Sequence, residues 1–389
     1  MKSRGPYKKN YERGIRGEII KLIYACGIIP EKSLVYLENM NYKTMRMKIK
    51  EMMNETVLEY YKRGRMPRVI LLNAESNERS EYEKAVSKEQ LAYYWKTGKQ
   101  DENKVTSKKK KISETERVIY NIDTVLFMYG IGIKVKIAEK NELAGTIEKS
   151  VYYTSRILKT GMGKEQRYGA EIRNKNGEIE IGNSRLRGML CSKGGVYGVY
   201  RMSTNGTYSQ NGEYKMKLYL ERLTSDMENG RELKDAIVIA NVDRKKIMEN
   251  MIAPEENRRK IRFASIEAIY RHVYCIPADK NGQQMMKVFT CNGWKEKIYE
   301  SFGLPQSSNR NGVVCDGSDD DHWYYVFCIP DIKRFQKFKA RAEIENDREQ
   351  FIVICFDWQV PLVKNVIGRY ARIKSVPFEK YLKELQFIE

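Results

Sequence analysis

Histidine is nearly missing from this chain: 389 residues contain two, His272 and His322. Enzymes that nick DNA with a tyrosine usually gather a histidine cluster around a metal, and two distant histidines argue against that chemistry despite the 27 tyrosines. Nor can a Ser/His/Asp or Cys/His arrangement be assembled from them by sequence. The seven cysteines, at 26, 191, 275, 291, 315, 328 and 355, are odd in number and contain no Cys-x-x-Cys pair. A zinc ribbon or disulfide framework is therefore not expected. Several thiols sit inside apolar runs (Tyr24-Ala25-Cys26, Val326-Phe327-Cys328, Val353-Ile354-Cys355), where cysteine behaves as a small core residue. That pattern fits a reducing cytoplasm. No apolar run reaches the length of a membrane span, and the lysine-rich N-terminus lacks the apolar core of a signal peptide. A cytoplasmic protein with no membrane partner is the expectation.

A nucleotide-binding loop is also missing. Thr160-Gly161-Met162-Gly163-Lys164 hints at one, but the motif needs glycine where Leu158 stands and Ser or Thr where Glu165 stands. No repeat of fixed period is apparent.

What the chain has in excess is positive charge, a formal +20 from 71 Lys and Arg against 51 Asp and Glu. The excess is local. Residues 1–70 hold 16 basic and 7 acidic side chains, whereas residues 71–150 hold 15 and 13. Residues 151–389 hold 40 and 31, which is only mildly basic. A concentrated basic patch is the electrostatic footprint of phosphate contact.

The first seventy residues read as a winged helix-turn-helix. Ile15, Ile19, Ile20 and Ile23 form an apolar stripe, broken at Gly27 and Pro30, and a short second helix carries Leu34, Val35 and Leu37. The third segment, Tyr42–Asn54, places Met45, Ile49, Met52 and Met53 on one side and Lys43, Arg46 and Lys50 on the other. A recognition helix needs that division, an apolar back for docking and a cationic front for the groove. Two strand-like runs follow, Val57–Tyr61 and Arg68–Leu72, joined by a wing tip at Lys62-Arg63-Gly64-Arg65. The expected DNA-binding residues are Lys43, Thr44, Arg46, Lys50, Arg63, Arg65 and Arg68, and the expected partner is double-stranded DNA. A small helical subdomain whose charges merely keep it soluble is the plainer alternative, and RNA or an anionic membrane the alternative partner.

Beyond the wing, Glu81–Thr97 reads as a helix, and residues 98–113, with Lys108–Lys111, as a polar linker. A run of lysines is most often solvated; a nonspecific phosphate-contacting tether is the functional alternative. A helix runs from Ile112 to about Tyr129, and Ile133–Ile137 alternates like a strand. Further on, buried-strand signals at Val196–Tyr200, Ala236–Ala240, His272–Ile276, Trp323–Ile329 and Phe351–Phe356 alternate with helical patterns at Tyr214–Leu223, Arg244–Met251, Gln283–Phe289, Ile332–Ala342 and Pro361–Ile367. That alternation argues for an α/β domain with a mostly parallel sheet. The expected fold is thus α+β followed by α/β. It comprises a winged helix-turn-helix over 1–75, a helical connector over 76–150 and an α/β domain over 151–389.

Three chemical candidates stand out in the second half. Glu213-Tyr214-Lys215 has the spacing of a metal-dependent nuclease, but Val196–Arg201 lacks the acidic partner. A carboxylate favoured at a helix start accounts for Glu213 better. Ser318-Asp319-Asp320-Asp321-His322 has legitimate metal ligands, yet its Gly- and Ser-rich context reads as a solvated loop. Arg185, Arg187, Lys193 and Arg201 surround the turn Gly194-Gly195, either extending a DNA-contacting surface or as solvated turn charges. No catalytic, metal or cofactor site is expected, and the chain reads as a non-enzyme.

The basic N-terminal domain, the run Tyr152–Lys159, Ser184-Arg185-Leu186-Arg187-Gly188, Val196–Tyr200, Glu213 with Lys215, and Ala236–Ile239 together resemble the replication-relaxation family of mobile-element proteins. The resemblance covers the winged helix and residues 150–240. It implies an accessory factor binding DNA at a plasmid or conjugative-element origin of transfer or replication, with a relaxase or replication initiator as protein partner. It also implies a C-terminal part of restriction-endonuclease-like outline that has often lost its catalytic residues. Two alternatives stay open, a transcriptional regulator whose α/β domain senses a ligand or dimerises, and an active metal-dependent nuclease. A homodimer is compatible with either.

Overall fold

The computed structural model describes residues 14–26, 28–40, 42–62, 68–72, 112–136, 150–155, 158, 184–202, 210–225, 232–240, 264–304, 309–310 and 313–379. The chain forms two compact units, residues 1–132 and 133–389.

In the first unit, α1 (Gly14–Cys26) buries Ile19, Ile20, Leu22 and Ile23 along one stripe. The chain then passes through β1 (Ile29–Pro30), a 3-10 segment (Glu31–Met40), α2 (Tyr42–Asn54), β2 (Leu58–Tyr61) and β3 (Val69–Leu72). The strands make an antiparallel sheet in the order β1-β3-β2. Pro30 lies on an edge strand, where its missing amide hydrogen costs no ladder bond. The short second helix expected around Leu34 and Leu37 winds as 3-10, with a break in helical geometry at Leu37, while both leucines are buried. The helix α3 (Ile112–Tyr129) covers this segment. Tyr36 meets Phe127 edge-on at 5.3 Å, and the buried Ser33 hydroxyl bonds the Asp123 carboxylate. Residues 76–150, read from sequence as one connector, contribute α3 to the first unit and a strand to the second. The helix expected over Glu81–Thr97, the linker at 98–113 (apart from 112–113) and the helix expected over Arg244–Met251 lie outside the described residues.

The second unit opens with β4 (Lys134–Lys136), β5 (Val151–Thr154), β6 (Leu186–Ser192), β7 (Gly195–Met202), α4 (Gln210–Ser225), β8 (Asp235–Ala240), α5 (Ala264–Ile269) and β9 (His272–Pro277). These strands form one six-stranded sheet in chain order. Its β5-β6-β7 meander is antiparallel, and the pairs β4-β5, β7-β8 and β8-β9 are parallel. There follow α6 (Lys280–Val288), α7 (Trp294–Ser301), a two-stranded ribbon of β10 (Asn309–Arg310) and β11 (Val313–Val314), then β12 (Gly317–Ser318), β13 (Trp323–Val326), α8 (Ile332–Glu345), β14 (Phe351–Phe356), α9 (Val360–Ile367) and β15 (Arg372–Val376). A second sheet runs β12-β13-β14-β15, parallel except for its first pair. The expected sheet is therefore divided into two mixed ones, in which five of the eight strand pairings are parallel. The continuous apolar runs are right, because β8 and β14 are buried on both faces, but burial alone does not say which strands share a sheet.

A single apolar cluster links the sheets. Phe335 and Phe338 of α8 reach Tyr325 of β13 and Phe327 just beyond it with ring separations of 4.7–5.3 Å. Val238, Val273 and Cys275 of the first sheet belong to the same cluster. The α8 sequence is lysine-rich, yet Phe335, Phe338 and Ala342 fall on one buried face. All seven cysteines are free thiols, and five are buried; burial pushes Cys275 up to about 12, so it is an inert core group.

The start of α6 is fixed by backbone proximity. Gly282 donates its amide to the Asp279 carboxylate, and a methyl group built on it would lie 1.6 Å from the Pro277 carbonyl oxygen. Main chain on both sides cannot yield cheaply. Gly282→Ala is expected to destabilise the second unit by about 3 kcal/mol, read as a lowered urea midpoint; an unchanged midpoint would mean that α6 and β9 can separate freely.

Candidate functional site

Two candidate regions stand out, one in each unit. In the first unit, α2 buries Met45, Ile49 and Met52 against its own unit. At 3.6 residues per turn the opposite face then carries Lys43, Arg46, Met47 and Lys50, all exposed, with Thr44 half-buried beside them. Lys48, off this face, pairs with Glu51 at 2.6 Å. Arg68 is engaged differently. Its guanidinium grips the Glu31 carboxylate through two bonds of 2.7 and 2.6 Å and stacks 4.2 Å from the Tyr60 ring centre. That bond from Arg68 holds the Glu31 carboxyl below the usual range, and Arg46 adds to the effect. The expected contacts Arg63 and Arg65 lie outside the described residues, as do Lys108–Lys111. Tyr60, 44% exposed beneath Arg68, was not singled out by sequence; its place in a short strand offered no periodic signal.

In the second unit the sequence-level candidates fall into structural roles. Glu213 lies in the first turn of α4, fully buried, and accepts hydrogen bonds from the Ser184 hydroxyl at 2.8 Å and the Arg185 amide at 2.5 Å. Arg187 and Arg201 are 5% and 2% exposed, which corrects the idea that they extend a DNA-contacting surface. Their strands, β6 and β7, lie inside the sheet with both faces covered, and the charges of the two cations act on the buried Tyr152 hydroxyl. Lys193 occupies the exposed hairpin turn between β6 and β7. Asp319 organises its own loop. It accepts from the Tyr324 hydroxyl at 2.6 Å and from the amides of Asp321 and His322, which hold its carboxyl down at about 2. Among the described residues no group of three His, Cys, Asp or Glu is placed to hold a metal ion. Among them, too, no helix is long and apolar enough to cross a membrane.

The structure brings together a constellation that sequence spacing did not disclose. Asp331 sits at the start of α8 and accepts from the amides of Lys333 and Arg334, while its other oxygen lies 2.5 Å from Nδ1 of His272 on β9. Ladder pairing puts Asp235 of β8 directly beside His272. Next to them a partly open cleft is lined by Tyr274, Trp294, Lys295, Tyr299, Tyr325, Asp316, Asp331 and Arg334. Arg334 bonds Asp316 at 2.7 Å, and Tyr299 donates to the same carboxylate at 3.0 Å. Burial pushes the Asp316 and Asp235 carboxyls up, Arg334 opposing it for the first and Lys295 for the second. Residues from positions 235, 272, 295, 316 and 331 meet here, too far apart in sequence for any local motif.

No protein-family model, no curated protein and no solved structure matches the chain. Its sites have to be understood from their own geometry.

Asp331 carries three jobs in this cleft: it caps α8, fixes the His272 ring and lines the cavity wall. Losing a cap costs about 1 kcal/mol and losing a charged hydrogen bond about 1.5–3 kcal/mol. Asp331→Ala is expected to lower the stability of the second unit by about 3 kcal/mol, measured by urea unfolding. Asp331→Asn, which can still cap, should recover roughly a third of the loss, and equal stability of all three proteins would contradict this role.

Proposed function

We propose that the chain is a sequence-selective, double-stranded DNA-binding protein whose first unit is a winged helix-turn-helix with α2 as its recognition helix. The observation that carries this is the division of α2 into a buried face of Met45, Ile49 and Met52 and an exposed face of Lys43, Arg46 and Lys50. The order helix, strand, 3-10 segment, helix, strand, strand, with β3 central in the sheet, supports it, because a helix followed by a two-stranded hairpin can enter the major groove with the hairpin beside it. Lys43, Arg46 and Lys50 supply phosphate and base contacts, and Thr44 lies at the edge of the same face. Arg68, tied to Glu31 and Tyr60, contributes mainly by bracing the hairpin.

The resemblance of residues 150–240 to the replication-relaxation family supports, as part of this proposal, a DNA site at a transfer or replication origin of a mobile element. A relaxase or replication initiator would be the protein partner, and the second unit a non-enzymatic assembly module of restriction-endonuclease-like descent. A second reading, a regulator whose second unit senses a ligand, is favoured by the charged cleft beside Asp331. The engagement of Glu213 by Ser184 and Arg185 counts against a nuclease.

The test is duplex binding by the full chain, with sites selected from a random library. Arg46→Ala is expected to weaken the selected site at least tenfold, on the order of 1–3 kcal/mol. Replacing Lys43, Arg46 and Lys50 together should abolish specific binding with the circular dichroism spectrum unchanged. Unaltered affinity of a folded triple variant would overturn the assignment, and magnesium-dependent cleavage of the duplex would favour a nuclease.

A further inference from the structure

The cleft of the second unit holds an imbalance between donors and acceptors. Two of its carboxylates are satisfied: Asp331 by His272 and two backbone amides, Asp316 by Arg334, Tyr299 and the Val326 amide, while beside them Asp235 Oδ1 is buried and, among the described residues, has no hydrogen-bond partner. Two of its donors are open as well. Tyr274 is 1% exposed, yet among the described residues its hydroxyl has no hydrogen-bond partner. The Lys295 ammonium lies over the rings of Tyr274 and Trp294 at 5.0 and 5.6 Å and, among the described residues, makes neither a hydrogen bond nor an ion pair. Ring faces alone do not replace the hydrogen bonds that water gives an ammonium.

We propose that this cleft binds a small oxyanion, the carboxylate or phosphate group of a small molecule, held by the Lys295 ammonium and the Tyr274 hydroxyl. Both groups donate, so the ligand must present acceptors; the lone pairs of Asp316 and Asp331 are filled, and the open Asp235 oxygen beside His272 leaves one place for a donor on the carrier. The empty space of about 330 Å³ counts the open solvent in front of the cleft, so the anionic group enters and most of its carrier stays at the open front. The flat walls of Trp294, Tyr299 and Tyr325 accept the carrier's apolar part. Burial lifts the Tyr274 hydroxyl well above its ordinary range, which keeps it a donor, and lowers the Lys295 ammonium. A bound anion would oppose that lowering, since an opposite charge favours the charged form. This site is separate from the basic face of α2 and stands whether or not the chain binds DNA.

The experiment is isothermal titration of the full-length protein with sodium phosphate and, separately, sodium acetate in a chloride background of fixed ionic strength. Saturable binding at one site per chain is expected for at least one probe, and which of them saturates identifies phosphate or carboxylate as the preferred group. Lys295→Met and Tyr274→Phe should each weaken it at least tenfold, while Lys297→Ala, an exposed position on α7, leaves it unchanged. No saturable heat with either probe, or equal affinity in folded Lys295→Met and Tyr274→Phe, would overturn the proposal and leave water alone in the cleft. Should either variant fail to fold, acetylation of the native protein read by mass spectrometry decides instead. The saturating probe must slow modification of Lys295 several-fold relative to Lys297, and equal rates would overturn it.

Discussion

One-sided burial of α2 is the constraint on which the account of the first unit depends. With Met45 and Met52 fully covered and Ile49 3% exposed, the helix cannot rotate without bringing one of them into water. Each such side chain is worth about 1.5–3 kcal/mol when buried, so the face presented to solvent is set by packing, not by charge. The basic side chains at 43, 46 and 50 then share that face because of helical geometry alone. The cover over the 3-10 segment, Tyr36 against Phe127 and Ser33 against Asp123, holds the elements that α2 docks on. The basic side chains give this face its charge, and apolar contact aims it.

In the second unit the comparable organiser is polar. A buried carboxylate is costly unless its lone pairs are filled, and Asp331 meets that condition with one imidazole and two helix amides. Through it, the start of α8 is tied to the edge of the six-stranded sheet. An isolated bridge between Tyr274 and Asp331, and the Cys275 amide bonded to the Pro330 carbonyl at 3.2 Å, reinforce the same seam. A cleft therefore sits where two sheets and a helix start converge, with the acceptors of Asp316 and Asp331 filled and two of its donors open.

Local features were legible in the sequence, and pairings between distant segments were not. Helix bounds at Tyr42–Asn54 and Ile112–Tyr129 and the strand Phe351–Phe356 follow from periodicity within a few turns or from an unbroken apolar run. The winding of Glu31–Met40 as 3-10 left no mark on its apolar spacing, because three- and four-residue steps fall on nearly the same face over so short a length. That Phe351–Phe356 lies in a different sheet from Ala236–Ala240 depends on partners far along the chain. Arg187 and Arg201 look like surface charges until their neighbours in the sheet are known. The pairing of His272 with Asp331 was hidden for the same reason, and two histidines without a nearby motif gave no signal for it.

The central claim, that the exposed face of α2 meets duplex DNA, is most directly tested by photo-crosslinking. A photoreactive amino acid would be placed singly at Met47 in the middle of that face and, in separate proteins, at Leu218 on α4 and Ile344 on α8, each exposed in the second unit. With a duplex selected by the full-length protein, the account predicts efficient crosslinking from position 47 that vanishes when unlabelled duplex competes. Crosslinking from 218 or 344 with none from 47 would contradict it.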